Sequence, residues 1–152
     1  ALLCALQAQL GPDDRLLIGT DMVKDRERLE AAYNDSAGVT AEFNRNMLRV
    51  INVNLEGDLD PEMFDHVAFY NEHARRIEMW LRAREDMSAR IDALGMDVDF
   101  EAGEEIRTEI SCKFTRDSLA REYTAAGLDL IAWYTDADGL FGLSLTGPAG
   151  AD

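Results

Sequence analysis

Through all nine positions from Ile106 to Phe114, Ile-Arg-Thr-Glu-Ile-Ser-Cys-Lys-Phe, apolar and polar residues alternate. A helix repeats near 3.6 residues and a strand at 2, so this stretch predicts a half-buried β-strand. Ile106, Ile110, Cys112 and Phe114 are expected to face a core, with Arg107, Glu109, Ser111 and Lys113 on the opposite side. Glu109 and Ser111 then project side by side, their Cα atoms about 7 Å apart. Together a carboxylate and a hydroxyl can hold two nitrogens of a planar polar group such as an imidazole. From pattern alone a solvated strand face is the alternative.

The rest of the chain narrows the class. At 152 residues, 47% hydrophobic and 30% charged, it is long enough for a real core and too apolar to be disordered. A net charge of −15 repels phosphate backbones and argues against a nucleic-acid partner. No apolar run reaches the length of a membrane span, and no basic region precedes the opening Ala-Leu-Leu-Cys-Ala-Leu, so a reduced, cytoplasmic chain without a membrane partner is expected. Cys4 and Cys112 sit in apolar registers and form no metal or redox motif. His66 and His73 lack a third ligand at useful spacing, so no metal is expected.

Along the chain, Leu2, Leu3, Leu6 and Leu10 predict a helix ended by Gly11-Pro12, followed by a short strand over Arg15 to Thr20 of the parallel, buried kind. Lys24 to Tyr33 reads as a charged helix, and Thr40 as the N-cap of a second helix facing a core with Phe43, Met47, Val50 and Ile51. Asp60-Pro61 starts a short helix. From Val67 to Phe114 the period is two, with Ile77, Met79, Leu81 and Ala83 on one face, which predicts an antiparallel meander of about four strands. Thr115 caps a helix ending near Gly127, and strands over Leu128 to Thr135 and Leu140 to Thr146 are joined by the hairpin signal Asp136-Ala-Asp-Gly139. A strand directly after an opening helix reads as the middle of an α/β protein. The eleven glycines never form G-x-G-x-x-G after a strand; Gly19 is followed by Thr20-Asp21.

Three segments carry a resemblance: Leu16-Leu-Ile-Gly-Thr-Asp-Met-Val-Lys-Asp25, Leu29-Glu-Ala-Ala-Tyr33 and Ile106 to Phe114. In order and spacing they resemble the histidine-specific, S-adenosylmethionine-dependent Nα-methyltransferases of ergothioneine biosynthesis, over nearly the whole chain and in the C-terminal half of such enzymes. The fold implied is α/β: the C-terminal part of a class I (Rossmann-like) methyltransferase sheet with an inserted α+β substrate-binding domain of helices and an antiparallel meander. Residues 1–23 and 114–152 would belong to the core and residues 24–113 to the insert. The activity implied is trimethylation of the α-amine of L-histidine to hercynine, with S-adenosylmethionine as methyl donor and no metal. The glycine-rich donor loop would lie in a missing N-terminal half, so the chain alone is expected to be inactive.

The resemblance also implies roles. Glu109 and Ser111 match the pair that hydrogen-bonds the substrate imidazole, Tyr33 matches the tyrosine that holds the substrate carboxylate, Thr40 matches a pocket residue acting through water, and Met79 matches a residue packed near the ring. From the residues alone, Tyr33 also reads as a half-buried packing residue, Thr40 as a cap and Met79 as core filling. Asp21, after the first strand, lies where α/β folds gather ligands. Two further readings stand beside this one: a related methyltransferase acting on another aromatic amino acid, and a non-catalytic acidic binding module.

Overall fold

The computed structural model describes residues 2–150, so residues 1, 151 and 152 of the expected outer segments lie outside the described residues. In chain order the elements are α1 (Leu2–Gln7), β1 (Leu16–Asp21), α2 (Arg26–Tyr33), α3 (Val39–Leu55), β2 (Phe64–Asn71), β3 (Arg76–Ala83), β4 (Met87–Ile91), β5 (Met96–Phe100), β6 (Glu105–Cys112), α4 (Arg116–Ala125), β7 (Leu128–Thr135) and β8 (Phe141–Pro148). Short 3-10 turns cover Pro61–Met63 and Asp92–Leu94. Two compact units emerge, one made of residues up to Lys24 together with those from Cys112 onward, the other of Asp25–Ser111.

The first unit holds a three-stranded sheet in the order β1-β8-β7, so the last strand lies in the middle and is antiparallel to both neighbours. The parallel pairing expected for Leu16 to Ile18 is therefore corrected. Leu16 and Ile18 pack into the core while Leu17 is 62% exposed, because a three-residue apolar run does not show whether one face or both are covered. Leu119, Tyr123, Ala126 and Leu128 form the buried centre, with Leu3 and Leu10 packed against it; Leu2 of the expected stripe points outward. Ser144 and Thr146 are fully buried on β8 and still satisfied. Thr146 donates to the Leu16 carbonyl, and Ser144 has one proton for the Ile18 carbonyl and a lone pair for the Tyr123 hydroxyl, 2.5 Å away. Gly142 has no room for a side chain, since a Cβ there would overlap the Trp133 ring. Thr115 caps α4 through a reciprocal box with Ser118, and Asp136 turns the β7–β8 hairpin by accepting the Leu140 and Phe141 amides.

This unit also buries a charge. Lys113, placed by the alternation on a solvated face, is 3% exposed and bonds Asp21 at 2.8 Å. Lys24 bonds the other oxygen of the same carboxylate. Burial pushes the Asp21 carboxyl up, but the hydrogen bonds and charges of Lys113 and Lys24 outweigh it and hold the group below its ordinary value.

In the second unit, β2, β3 and β6 form one sheet in that order, and β4 and β5 form a separate hairpin. Partners on β6 run from Thr108 back to Glu105 as β3 runs from Met79 to Arg82, so this pair is antiparallel, as β2–β3 is. The region thus has five strands in two sheets, starting at Phe64, rather than one four-stranded meander. The β4–β5 hairpin is an excursion closed at its base by Ala83 pairing with Gly103 and Glu104. Period-two patterning marks each strand without saying which strands pair. Ile77, Met79, Leu81 and Ala83 are buried as expected. Glu78 on the other face is buried as well. Desolvation alone would raise its carboxyl, but hydrogen bonds from Arg76 and Asn71 prevail and hold it below its ordinary value.

Both helices of this unit depart from expectation at their starts. Asp25 caps α2, which begins at Arg26 rather than Lys24. Thr40 is not the cap of α3; Gly38 is, in the left-handed region at φ 72°. The first-turn amides of Val39 and Thr40 donate instead to the Asp35 carboxylate at 2.9 and 2.8 Å, a charged acceptor that outcompetes a hydroxyl. Those amide donors and the Thr40 side chain lower the Asp35 carboxyl to about 2. On α3 the buried residues are Asn44 and Leu48, with Ile51 packed beside them; Phe43 is 63% and Val50 47% exposed, which corrects the expected face.

Candidate functional site

Every residue singled out as a substrate contact lies in the 25–111 unit. Tyr33 is the last residue of α2, where the helix ends at Asn34. Its hydroxyl donates to Ser111 Oγ at 2.8 Å, joining residues 78 apart in sequence. On β6, Glu109 and Ser111 are both half-buried on one strand face, as the alternation requires. The opposite face departs from expectation: Ile106 packs on the core, but Ile110 is 46% exposed and Cys112 is exposed. Alternation assigns residues to two faces and does not say what covers each. Cys4 is exposed too.

Glu109 and Met79 line one cavity of about 190 Å³ together with Phe43, Met47, Asn44 and Thr108. That is below the about 300–1,000 Å³ of a drug-sized pocket and suits a single small ring. Its lining joins methionine and aromatic surface to one carboxylate, so it can enclose a flat ring and accept an N–H from it. Thr108 is held there by donating its hydroxyl to the Met79 carbonyl at 3.0 Å. Tyr33 borders a second, more polar space of about 510 Å³ with Asp35, Arg45, His66 and Arg82. Thus Tyr33 is joined to Ser111, and Met79 shares a cavity with Glu109, while Thr40 lines neither cavity and its amide donates to Asp35.

Sequence reasoning missed Asn44 and His66 as members of this neighbourhood. Asn44 is 1% exposed inside a helix; its Nδ2 lies 2.9 Å from His66 Nδ1 and 3.0 Å from the Trp80 carbonyl, while His66 Nε2 lies 2.9 Å from the Tyr33 carbonyl. The helical spacing of Asn44 and Leu48, which puts an asparagine on the same face as a leucine, was the available signal.

The remaining charged clusters are structural. Asp97 pairs with Arg90 and Asp99 accepts from Ser88, and among the described residues no group of His, Cys, Asp or Glu is arranged to hold a metal. Arg76, Arg82 and Arg84 are paired with Glu78, Glu105 and Asp65. Asp21 is occupied by two lysines, and no glycine-rich turn stands beside it among the described residues. Among the described residues no helix is long and apolar enough to cross a membrane.

The fold is that of a mixed α/β protein, with a ring-sized cavity in its 25–111 unit. A family model described as "Histidine-specific methyltransferase, SAM-dependent" matches residues 1–148, and the chain belongs to that family. It is 54% identical over 143 residues to "Histidine N-alpha-methyltransferase" of Mycobacterium tuberculosis (strain CDC 1551 / Oshkosh), which is 94% of this chain and 44% of that protein. It is 30% identical over 132 residues to "Ergothioneine biosynthesis protein 1" of Neurospora crassa, covering 83% of this chain and 14% of that protein. The chain therefore spans less than half the length of the curated relatives it matches. A solved CcbJ methyltransferase from Streptomyces caelestis aligns over 97% of this chain and 49% of its own, at 10% identity and a TM-score of 0.37.

Proposed function

We propose that these residues form the acceptor-binding part of an enzyme that transfers methyl groups from S-adenosylmethionine to the α-amine of L-histidine, giving the betaine hercynine on the route to ergothioneine. The observation that carries this reading is the joint placement of Glu109 beside Met79 in a ring-sized cavity and of Ser111 against the Tyr33 hydroxyl. Support also comes from family membership and from the names of the relatives at 54% and 30% identity.

In this reading Glu109 accepts the N–H of one ring nitrogen and Ser111 serves the other as donor or acceptor. Met79 packs against the ring. Tyr33 donates to the substrate carboxylate, which requires its proton to turn from Ser111 Oγ toward the ligand, while Ser111 serves the imidazole. Thr40 acts through a water near the Asp35 carboxylate. The α-amine must be neutral to present its lone pair, and its alignment is set by anchoring the two ends of the substrate, so the protein's contribution here is positioning.

Residues 24–113 would then be an insert carrying the acceptor pocket and residues 1–23 and 114–152 the closing part of the donor-binding sheet. The donor loop would lie in sequence beyond these residues, which alone would be inactive; the 54%-identical relative is about twice as long as the matched stretch. A cytoplasmic enzyme without metal or nucleic-acid partner fits this chemistry.

The test is methyl transfer by the full-length protein with L-histidine, L-phenylalanine and L-tyrosine as acceptors, read by mass spectrometry. A site that hydrogen-bonds an imidazole should reject the hydrocarbon ring by about 10⁴-fold in kcat/KM, because Glu109 and Ser111 would be left unpaired. Comparable rates with phenylalanine or tyrosine would replace histidine with another aromatic acceptor, and no transfer to any of them would end the catalytic reading.

A further inference from the structure

Two carbonyl groups fix the tautomer of the His66 ring. Asn44 Nδ2 faces the Trp80 carbonyl at 3.0 Å, and a carbonyl only accepts, so this end of the amide must be the NH₂ group. The same NH₂ lies 2.9 Å from His66 Nδ1, which must then be the unprotonated, accepting nitrogen. The ring proton therefore sits on Nε2, 2.9 Å from the Tyr33 carbonyl, which also can only accept. Asn44 is nearly fully buried and its Oδ1 has no hydrogen-bond partner among the described residues. A buried, unsatisfied amide oxygen is costly, which makes the two bonds of its NH₂ end the reason for an asparagine there.

This relay joins the two halves of the candidate pocket. At one end is Tyr33, whose hydroxyl bonds Ser111; at the other is Trp80, whose neighbour Met79 lines the cavity with Glu109. We propose that His66 is a positioning residue of the acceptor pocket, holding Tyr33 and the Met79–Trp80 segment in register through its Nε2–H tautomer. The proposal rests on the histidine-acceptor reading above. The other tautomer would point its Nδ1–H at the Asn44 NH₂, donor against donor. Asn44 cannot turn over without setting its oxygen against the Trp80 carbonyl.

The experiment is calorimetric titration of L-histidine into the full-length protein, with S-adenosylhomocysteine present. The variants are His66→Gln, His66→Phe and the turn control His73→Gln, each checked for folding by circular dichroism. Glutamine can donate to the Tyr33 carbonyl and accept from Asn44. His66→Gln should bind within about threefold of wild type, and His66→Phe about tenfold more weakly, which is the loss of one hydrogen-bonded link, with the change in KM exceeding that in kcat. His73→Gln should track wild type. A folded His66→Phe protein that binds normally, or a His66→Gln protein that binds as weakly as His66→Phe, overturns the proposal. Imidazole ¹⁵N shifts supply an arm independent of substrate: they should show the Nε2–H tautomer of His66, and the Nδ1–H form would overturn the relay. No histidine binding by wild type overturns the acceptor reading and this role together, whereas binding that His66→Phe leaves intact overturns this role alone.

Discussion

Asp21→Asn lowers the stability of the first unit by about 3 kcal/mol, the low end of what removing one partner of a buried ion pair costs. The Lys113 ammonium has a side-chain exposure of 0%, and its bond to Asp21 supplies the negative charge at 2.8 Å that makes this burial tolerable. The asparagine keeps the shape and removes the charge. Because Asp21 is itself partly open to solvent, the full range is not expected. The pH dependence has a definite sign. The folded Asp21 carboxyl lies below its ordinary value of 3.8, so its contribution is complete above that value and is lost as pH falls through the lower folded one. Urea denaturation of wild type, Asp21→Asn, Lys113→Met and the double variant checks this, with near-UV signals from Trp133 reporting this unit. The double variant should recover much of the loss, since replacing both members of a buried pair costs far less than replacing one. Additive losses would show that the two side chains are not coupled.

Phe64→Ala costs about 3–5 kcal/mol in the second unit, as expected for a large buried aromatic. Phe64 is fully buried, clustered with Leu48, Leu81 and Phe100, and meets the Phe100 ring edge to face at 5.3 Å and 88°. Phe100 belongs to the β4–β5 hairpin, which is not part of the three-stranded sheet, so this ring pair is one of the contacts that docks the excursion. The variant should therefore lose amide-exchange protection in β4 and β5 ahead of the rest of the unit. Phe43→Ala is the contrast: with most of its surface exposed, it should change stability by about 0.5 kcal/mol or less. Equal losses for the two would mean that the packing of α3 is wrongly phased.

That contrast also shows how far the sequence was legible. The helical period of α3 was readable, but its phase was not, because Asn44 counts as polar until His66 and the Trp80 carbonyl are brought to it from 22 and 36 residues away. Signals contained within a few residues are legible: Thr115 as a cap and Asp136-Ala-Asp-Gly139 as a hairpin turn both close on local amides. Thr40 was misread as a cap for the same kind of reason, since the better acceptor, Asp35, stands five residues before it. On β6 the alternation gave two faces, and the order of burial on them depends on partners elsewhere. It could not show that Lys113 finds Asp21, nor that Ile110 and Cys112 stay exposed. The candidate pocket was reached through three matching segments rather than through pattern, which left packing or capping open for Tyr33, Thr40 and Met79. The hydrogen bond from Tyr33 to Ser111 is a long-range product of the fold that no spacing announces.

The central claim is that Glu109 reads the acceptor ring. Calorimetric titration of L-histidine and N,N-dimethylhistidine into the full-length protein and its Glu109→Gln variant, with S-adenosylhomocysteine present, tests it most directly. Both ligands should bind, and the variant should bind them about 1–3 kcal/mol more weakly, the worth of a charged hydrogen bond. Unchanged affinity in the variant would place Glu109 outside the pocket and contradict the account.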